Sequence, residues 1–315
     1  MGDLIRYDQR CWEKWKRLAL DSVTSPHSRR AYDTALDHFD AWYHAEPRPR
    51  LSKAVVNAYK AELEAGGCSS STINVRLCAL RKLVSEASDN GLIAAELAAS
   101  IAKVRGAPRH GVRIGNWLTR QQAERLMAAP DASTITGKRD QALLAVLIGC
   151  GLRRSEAVAL DFNHLQQREG RCVIVDLVGK HGRIRSVPIP DFAERAIDQW
   201  RVASGVCSRS VFRPINRGGT LTHESLTAKS IWFILRKYTA ELGWPKLAPH
   251  DLRRTFAKLA YQGGAQLEQI QMSLGHASIQ TTERYLGVKQ DLADAPCDHL
   301  GLKLYPLTTG DERAA

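Results

Sequence analysis

Long apolar runs are missing from this chain of 315 residues: the longest, Ala142 to Ile148, spans only seven. A bilayer span needs about 20 residues, so no transmembrane helix is expected and membrane partners are set aside. The N-terminus, Met-Gly-Asp-Leu-Ile-Arg, lacks the apolar core of a signal peptide. Cysteine pairing signals are equally scarce. Cys11, Cys68, Cys78, Cys150, Cys172, Cys207 and Cys297 form no Cys-x-x-Cys pair, and an odd total leaves one thiol over under any disulfide scheme. A reducing, cytoplasmic setting is expected. Histidine and cysteine also lack metal-ligand spacing, and no acidic cluster stands ready to hold Mg²⁺. Arg217-Gly218-Gly219-Thr220 is the nearest approach to a phosphate loop, yet it carries neither the Walker spacing nor its lysine. No cofactor and no metal are therefore expected.

What the chain has in excess is positive charge. Lys and Arg total 45 against 33 Asp and Glu, a net +12 with histidines neutral, and the surplus is spread along the sequence. Such a balance favours a polyanionic partner. The length leaves room for two cores.

From about Asp8 to residue 105 the apolar spacing is helical, as in Ala31-Tyr32, Ala35-Leu36, Phe39 and Trp42-Tyr43, and no strand pattern interrupts it. Thr24-Ser25-Pro26 opens one helix, and Pro47-Arg48-Pro49 closes it. Gly66 to Ser71 separates the next two. A helix from Thr72 to about Asn90 sets Arg76, Arg81 and Lys82, expected to contact DNA, beside Val75, Leu77, Leu80, Leu83 and Val84, giving a basic side and an oily one. Residues 1–105 are thus expected to form a helical bundle. The basic, glycine- and proline-containing stretch 106–116 then reads as an interdomain linker, in which Arg109 and Arg113, with Arg105 just before it, are able to follow a DNA backbone or simply to be solvated.

Residues 117–290 change character. A cap at Thr119 starts one helix, and Lys138 to Cys150 forms another that ends at Gly151. β-branched runs at Cys172–Val178 and Ile184–Pro188 flank Gly179-Lys180-His181-Gly182 and read as a hairpin. Helical patterning resumes from Ser225. The expected fold class is mainly α with a small antiparallel β-sheet: an N-terminal helical bundle followed by an α+β domain.

Three local patterns carry chemistry. Gly151-Leu152-Arg153-Arg154-Ser155-Glu156 sets an arginine and a glutamate three apart, hence on one helix face. Pro249-His250-Asp251-Leu252-Arg253 does the same for a proton-transfer group and a bidentate phosphate donor. In Leu274-Gly275-His276 and the following Thr281-Thr282-Glu283-Arg284-Tyr285, a helix ends, a histidine occupies the turn, and a new helix carries a tyrosine. Each alone has an ordinary structural explanation: an ion pair, a helix cap, a core tyrosine.

In this order, and with Gly179-Lys180 between them, the patterns resemble the tyrosine recombinases, the integrase-like family of site-specific DNA recombinases, along nearly the whole chain. The resemblance implies that Arg153 and Arg253 clamp the scissile phosphate and that His276 donates to it. Lys180 and His250 serve acid–base steps, Tyr285 attacks, and Glu156 supports the arginines from behind. It further implies that residues 1–105 bind the core DNA site, and that residues 117–290 are the catalytic domain on its other side. The partner is double-stranded DNA with specific recombination sites, engaged as a homo-tetramer that is monomeric in solution. Residues 291–315 form a tail that docks in cis or in a neighbouring protomer. Because the chain starts almost at the bundle, simple sites without an arm-binding module are expected. A type IB topoisomerase-like enzyme shares the chemistry, and a DNA-binding regulator without activity shares the fold; both stand as rivals. A free tyrosine has a pKa of about 10, so attack near neutrality needs a proton acceptor or strong cationic surroundings, and His250 is the candidate base.

Overall fold

The computed structural model describes residues 9–108, 116–179, 182–216 and 218–287, and among them thirteen α-helices and three strands. The chain divides into two compact units, Met1–Val112 and Arg113–Ala315.

The first unit is built from helices α1 (Gln9–Asp21), α2 (Pro26–His44), α3 (Lys53–Ala65), α4 (Ser70–Asp89) and α5 (Ala95–Ala102). Serines cap three of them: Ser25, Ser52 and Ser69 each accept a backbone N–H three residues on, and Pro26 fills the first position of α2, where its missing N–H costs nothing. The core is aromatic. Phe39 stacks on Trp12 and meets Tyr59 edge-on, with Leu77, Leu80 and Leu83 of α4 buried in the same cluster. Beyond α5 the chain is pinned back on α4: Asn74 pairs both ways with Ala107, at 2.9 and 2.8 Å, and Ser70 donates to the Pro108 carbonyl. Residues 106–108, read from sequence as the start of the linker, are thus fastened to the bundle.

The second unit wraps around α7 (Ile135–Gly149), which follows the short α6 (Arg120–Ala128). Its Ala142–Ile148 run is buried on every side, the packing that the apolar stretch anticipates. Thr134 accepts the Gly137 N–H and starts the helix three residues ahead of the expected Lys138. The brief α8 (Arg154–Val158) leads to an antiparallel sheet in the order β1 (Leu165–Arg168), β2 (Arg171–Val178), β3 (Ile184–Pro188). The hairpin is as expected, whereas β1 is an addition: its Leu-Gln-Gln-Arg sequence has no β-branched residue, and pairing with β2 alone makes it a strand. Ile174, Leu177 and Val187 turn one sheet face into the core. The remaining helices are α9 (Asp191–Ser204), α10 (Ala228–Glu241), α11 (Pro249–Gln262), α12 (Leu267–Leu274) and α13 (Ile279–Leu286). Ala257, Ile270, Leu274 and Leu286 form a small separate core that seats α13, and Tyr285 packs on its edge. Among the described residues no helix is long and apolar enough to cross a membrane.

Candidate active site

Gly151 breaks the chain away from α7 with φ +60°, a conformation open to glycine, and a Cβ there would lie 2.6 Å from Phe256 Cδ1. Two residues on, Arg153 is the N-cap of α8 rather than part of its interior, so its pairing with Glu156 is a cap as well as an ion pair. Glu156 Oε2 accepts the Arg153 backbone N–H at 2.8 Å, while Oε1 accepts Arg153 Nη1 at 2.7 Å.

Glu156 is 3 % exposed, and two more arginines surround it. Arg185 of β3 grips both carboxylate oxygens, Nη1 to Oε1 at 3.0 Å and Nη2 to Oε2 at 2.8 Å, and sends Nε to the Ser273 carbonyl at 2.8 Å. Arg253 Nη1 stands 3.8 Å from Oε2. Burial opposes the charge on Glu156, but the hydrogen bonds from Arg185 and from the Arg153 backbone outweigh it and hold the pKa at about 2. One carboxylate thereby organises three guanidinium groups drawn from α8, β3 and α11. Sequence reasoning missed Arg185. A signal was there: strand alternation puts residue 185 on the same face as buried Val187, and an inward-facing charge requires a partner.

Helix α11 begins with Pro249 at its first position, and Asp251 accepts the Ala248 N–H at 2.9 Å. This start sets His250 at the rim of the site, its ring partly covered, and Arg253, one turn later, in the interior at 1 % exposure. Arg253 donates to the carbonyls of Gly151, at 2.6 Å, and Leu274, tying the turn before α8 to the end of α12. Burial, then the charge of Arg153, lowers its pKa to about 9, which still leaves it protonated at neutrality.

Helix α12 ends at Gly275 in the left-handed conformation, φ +61°, and the next residue is His276. Its Nδ1 lies 3.0 Å from Thr282 Oγ1. The Tyr285 ring is flanked edge-on by both histidines, His250 at 5.6 Å and His276 at 5.4 Å between centroids, with the Arg254 guanidinium 5.3 Å from its centre. The Tyr285 hydroxyl is 3.5 Å from His250 Nε2 and 3.4 Å from the His250 carbonyl. Burial pushes the phenol up to about 12, against the pull of Arg253 and Arg254. Burial and the same arginine cluster push the histidines down, His250 below its ordinary value and His276 to about 4. Both rings are therefore held toward the neutral form, His250 able to accept a proton.

Arg153, Glu156, His250, Arg253, His276 and Tyr285 thus come together, with the Arg153 charge felt at both histidines, at Arg253 and at Tyr285. Lys180 lies outside the described residues. The hairpin that carries it is closed on either side by the Gly179 N–H donating to the Arg183 carbonyl at 2.7 Å.

The expected DNA-contacting residues divide differently. Arg76, Arg81 and Lys82 are half-buried. Arg81 donates to the Val104 carbonyl and Lys82 to Glu86, while Arg76 reaches Cys68 Sγ at 3.9 Å. The basic side of α4 is in this way partly committed within the bundle. Arg105 is exposed; Arg109 and Arg113 lie outside the described residues, as does the 291–315 tail.

Two family models match the chain: "Phage integrase family" over residues 116–291 and "Phage integrase, N-terminal SAM-like domain" over residues 13–91. The tyrosine recombinase XerC of Roseiflexus castenholzii is 29% identical over 296 residues, covering 90% of each chain. XerC of Pelobacter propionicus is 30% identical over 280 residues, 87% of this chain and 89% of the relative. The fold is shared with the XerH site-specific recombinase bound to palindromic difH substrate, at a TM-score of 0.66 and 19% identity over 92% of this chain and 88% of that one. Matched by the family model over more than half its length and 30% identical to a XerC over 87% of it, this protein belongs to the phage integrase family, the tyrosine recombinases.

Proposed function

We propose that this protein is a site-specific DNA recombinase that cuts and rejoins strands through a phosphotyrosine at Tyr285. The reading is carried by the surroundings of Tyr285: His250 at its hydroxyl, His276 against its ring, and the charges of Arg253 and Arg153 felt there. Phosphoryl transfer develops negative charge on the equatorial oxygens, and catalysis consists mainly of positioning and electrostatic stabilisation. Arg153 and Arg253 bind the non-bridging oxygens, and a neutral His276 adds an N–H. Tyr285 passes its proton to His250 as its oxygen attacks phosphorus. Burial has made that phenol a weaker acid than in water, so the acceptor beside it matters, and the 3.5 Å separation tightens once substrate fills the cleft. The bond from phosphorus to the 5′ oxygen breaks, Lys180 protonates the departing oxygen, and a 3′-phosphotyrosine remains. A 5′-hydroxyl from the partner duplex reverses the step without an external energy source. Two such exchanges pass through a Holliday junction.

Residues 1–105 and residues 117–290 both engage the DNA of the core site. Four protomers, monomeric in solution, synapse two recombination sites in the cytoplasm, serving integration, excision or resolution of a mobile element. The test is a nicked suicide duplex carrying the protein's own site. Wild-type protein is expected to form a covalent adduct, and Tyr285→Phe to form none while retaining DNA affinity; an undiminished adduct from the variant refutes the assignment.

A further inference from the structure

The polar contact behind His276 is not used by the reaction as written. Thr282 is fully buried, and among the described residues the one hydrogen-bond partner of its hydroxyl is His276 Nδ1, at 3.0 Å. Two proton arrangements fit that distance. If Nδ1–H donated to Oγ1, the hydroxyl proton would be left in the interior with no acceptor, and a stranded buried donor is the arrangement that folded proteins avoid. The hydroxyl therefore donates, Nδ1 is the bare nitrogen, and the single proton of a neutral imidazole sits on Nε2. Burial and the charges of Arg253 and Arg153 keep a second proton off the ring near neutrality. The main chain of the turn is fixed as well: the His276 N–H donates to the Gln271 carbonyl, and Gln271 Nε2 donates to the His276 carbonyl, both at 3.2 Å.

We infer that Thr282 is a positioning residue: its hydroxyl, donating to Nδ1, locks His276 in the Nε2–H form, so that the cleft always offers the phosphate an N–H and never a lone pair. The inference rests on the proposed role of His276 as a phosphate donor. A histidine in the opposite tautomer would present a lone pair to an anion, replacing attraction with repulsion at the same distance.

The test uses the full chain labelled with ¹⁵N-histidine, the His276 ring being identified by comparison with His276→Gln. Wild-type protein is expected to show the Nε2–H tautomer, Thr282→Ser to keep it, and Thr282→Val to lose it. In single-turnover cleavage of the suicide duplex, the valine variant should be slower by roughly tenfold or more, the scale of losing one aligned donor, with DNA affinity unchanged and serine restoring the rate. A wild-type ring protonated on Nδ1 overturns the inference, and so does a valine variant with unaltered tautomer and rate. An altered tautomer with an unaltered rate upholds the lock but refutes His276 as a phosphate donor, which separates the two failures. Should valine prevent folding, the wild-type spectrum by itself decides which nitrogen carries the proton.

Discussion

Replacing Glu156 with glutamine keeps the shape of the hub of the arginine cluster and removes its charge. The carboxylate accepts hydrogen bonds from the Arg153 backbone, the Arg153 side chain and both terminal nitrogens of Arg185, and only 2 % of its side chain is exposed. Holding its pKa near 2 instead of 4.5, at about 1.4 kcal/mol for each pH unit, corresponds to roughly 3 kcal/mol of folding stability. Breaking a buried ion pair from one side costs about 3–5 kcal/mol, which agrees. For a unit of this size, roughly 3 kcal/mol lowers Tm by about 6–12 °C. The pH dependence sharpens the test. A depressed carboxylate pKa contributes in full above about pH 4.5 and loses its contribution as pH falls toward 2, so the gap between wild type and Glu156→Gln should narrow over that window. Thermal melts of both proteins between pH 7 and pH 3 measure it. A glutamine variant melting within about 1 °C of wild type at neutral pH would refute the view of Glu156 as the organiser of the arginine cluster.

Arg185→Lys keeps a positive charge but gives up the planar fork that spans Glu156 and the Ser273 carbonyl; about 1–3 kcal/mol of stability and roughly tenfold in suicide-substrate cleavage should be lost, and wild-type behaviour in both assays would show the bridge to be idle. Gly151→Ala should lower stability by about 2 kcal/mol in urea titration, because φ is +60° and the added methyl collides with Phe256, and a neutral result would mean that the turn relaxes freely.

Most of the candidate site was legible because those residues travel in short local contexts whose spacing survives in one dimension. Pro249-His250 to Arg253 needs only a helix start, and Gly275-His276 only a helix stop. Arg185 was illegible for the opposite reason. Its partners Glu156 and Ser273 are 29 and 88 residues away, and they become neighbours only when β3 has its register and α12 has packed beside it. Strand β1 likewise has no sequence preference of its own and exists because β2 offers an edge. Charge along α4 is more committed within the bundle than its spacing suggests. Arg81 and Lys82 look like a basic stripe when only helical spacing is considered, but the carbonyl of Val104 and the carboxylate of Glu86 claim them.

The carbonyls that hold Arg253 have a kinetic meaning. A free arginine has about 2 kcal/mol of rotamer entropy to lose when it closes on an anion. This one, wedged between the peptide oxygens of Gly151 and Leu274, has already given up that freedom during folding. An anion arriving at this guanidinium thus meets a receptor already set, and the time spent waiting for a good grip shifts to the motions of the anion itself.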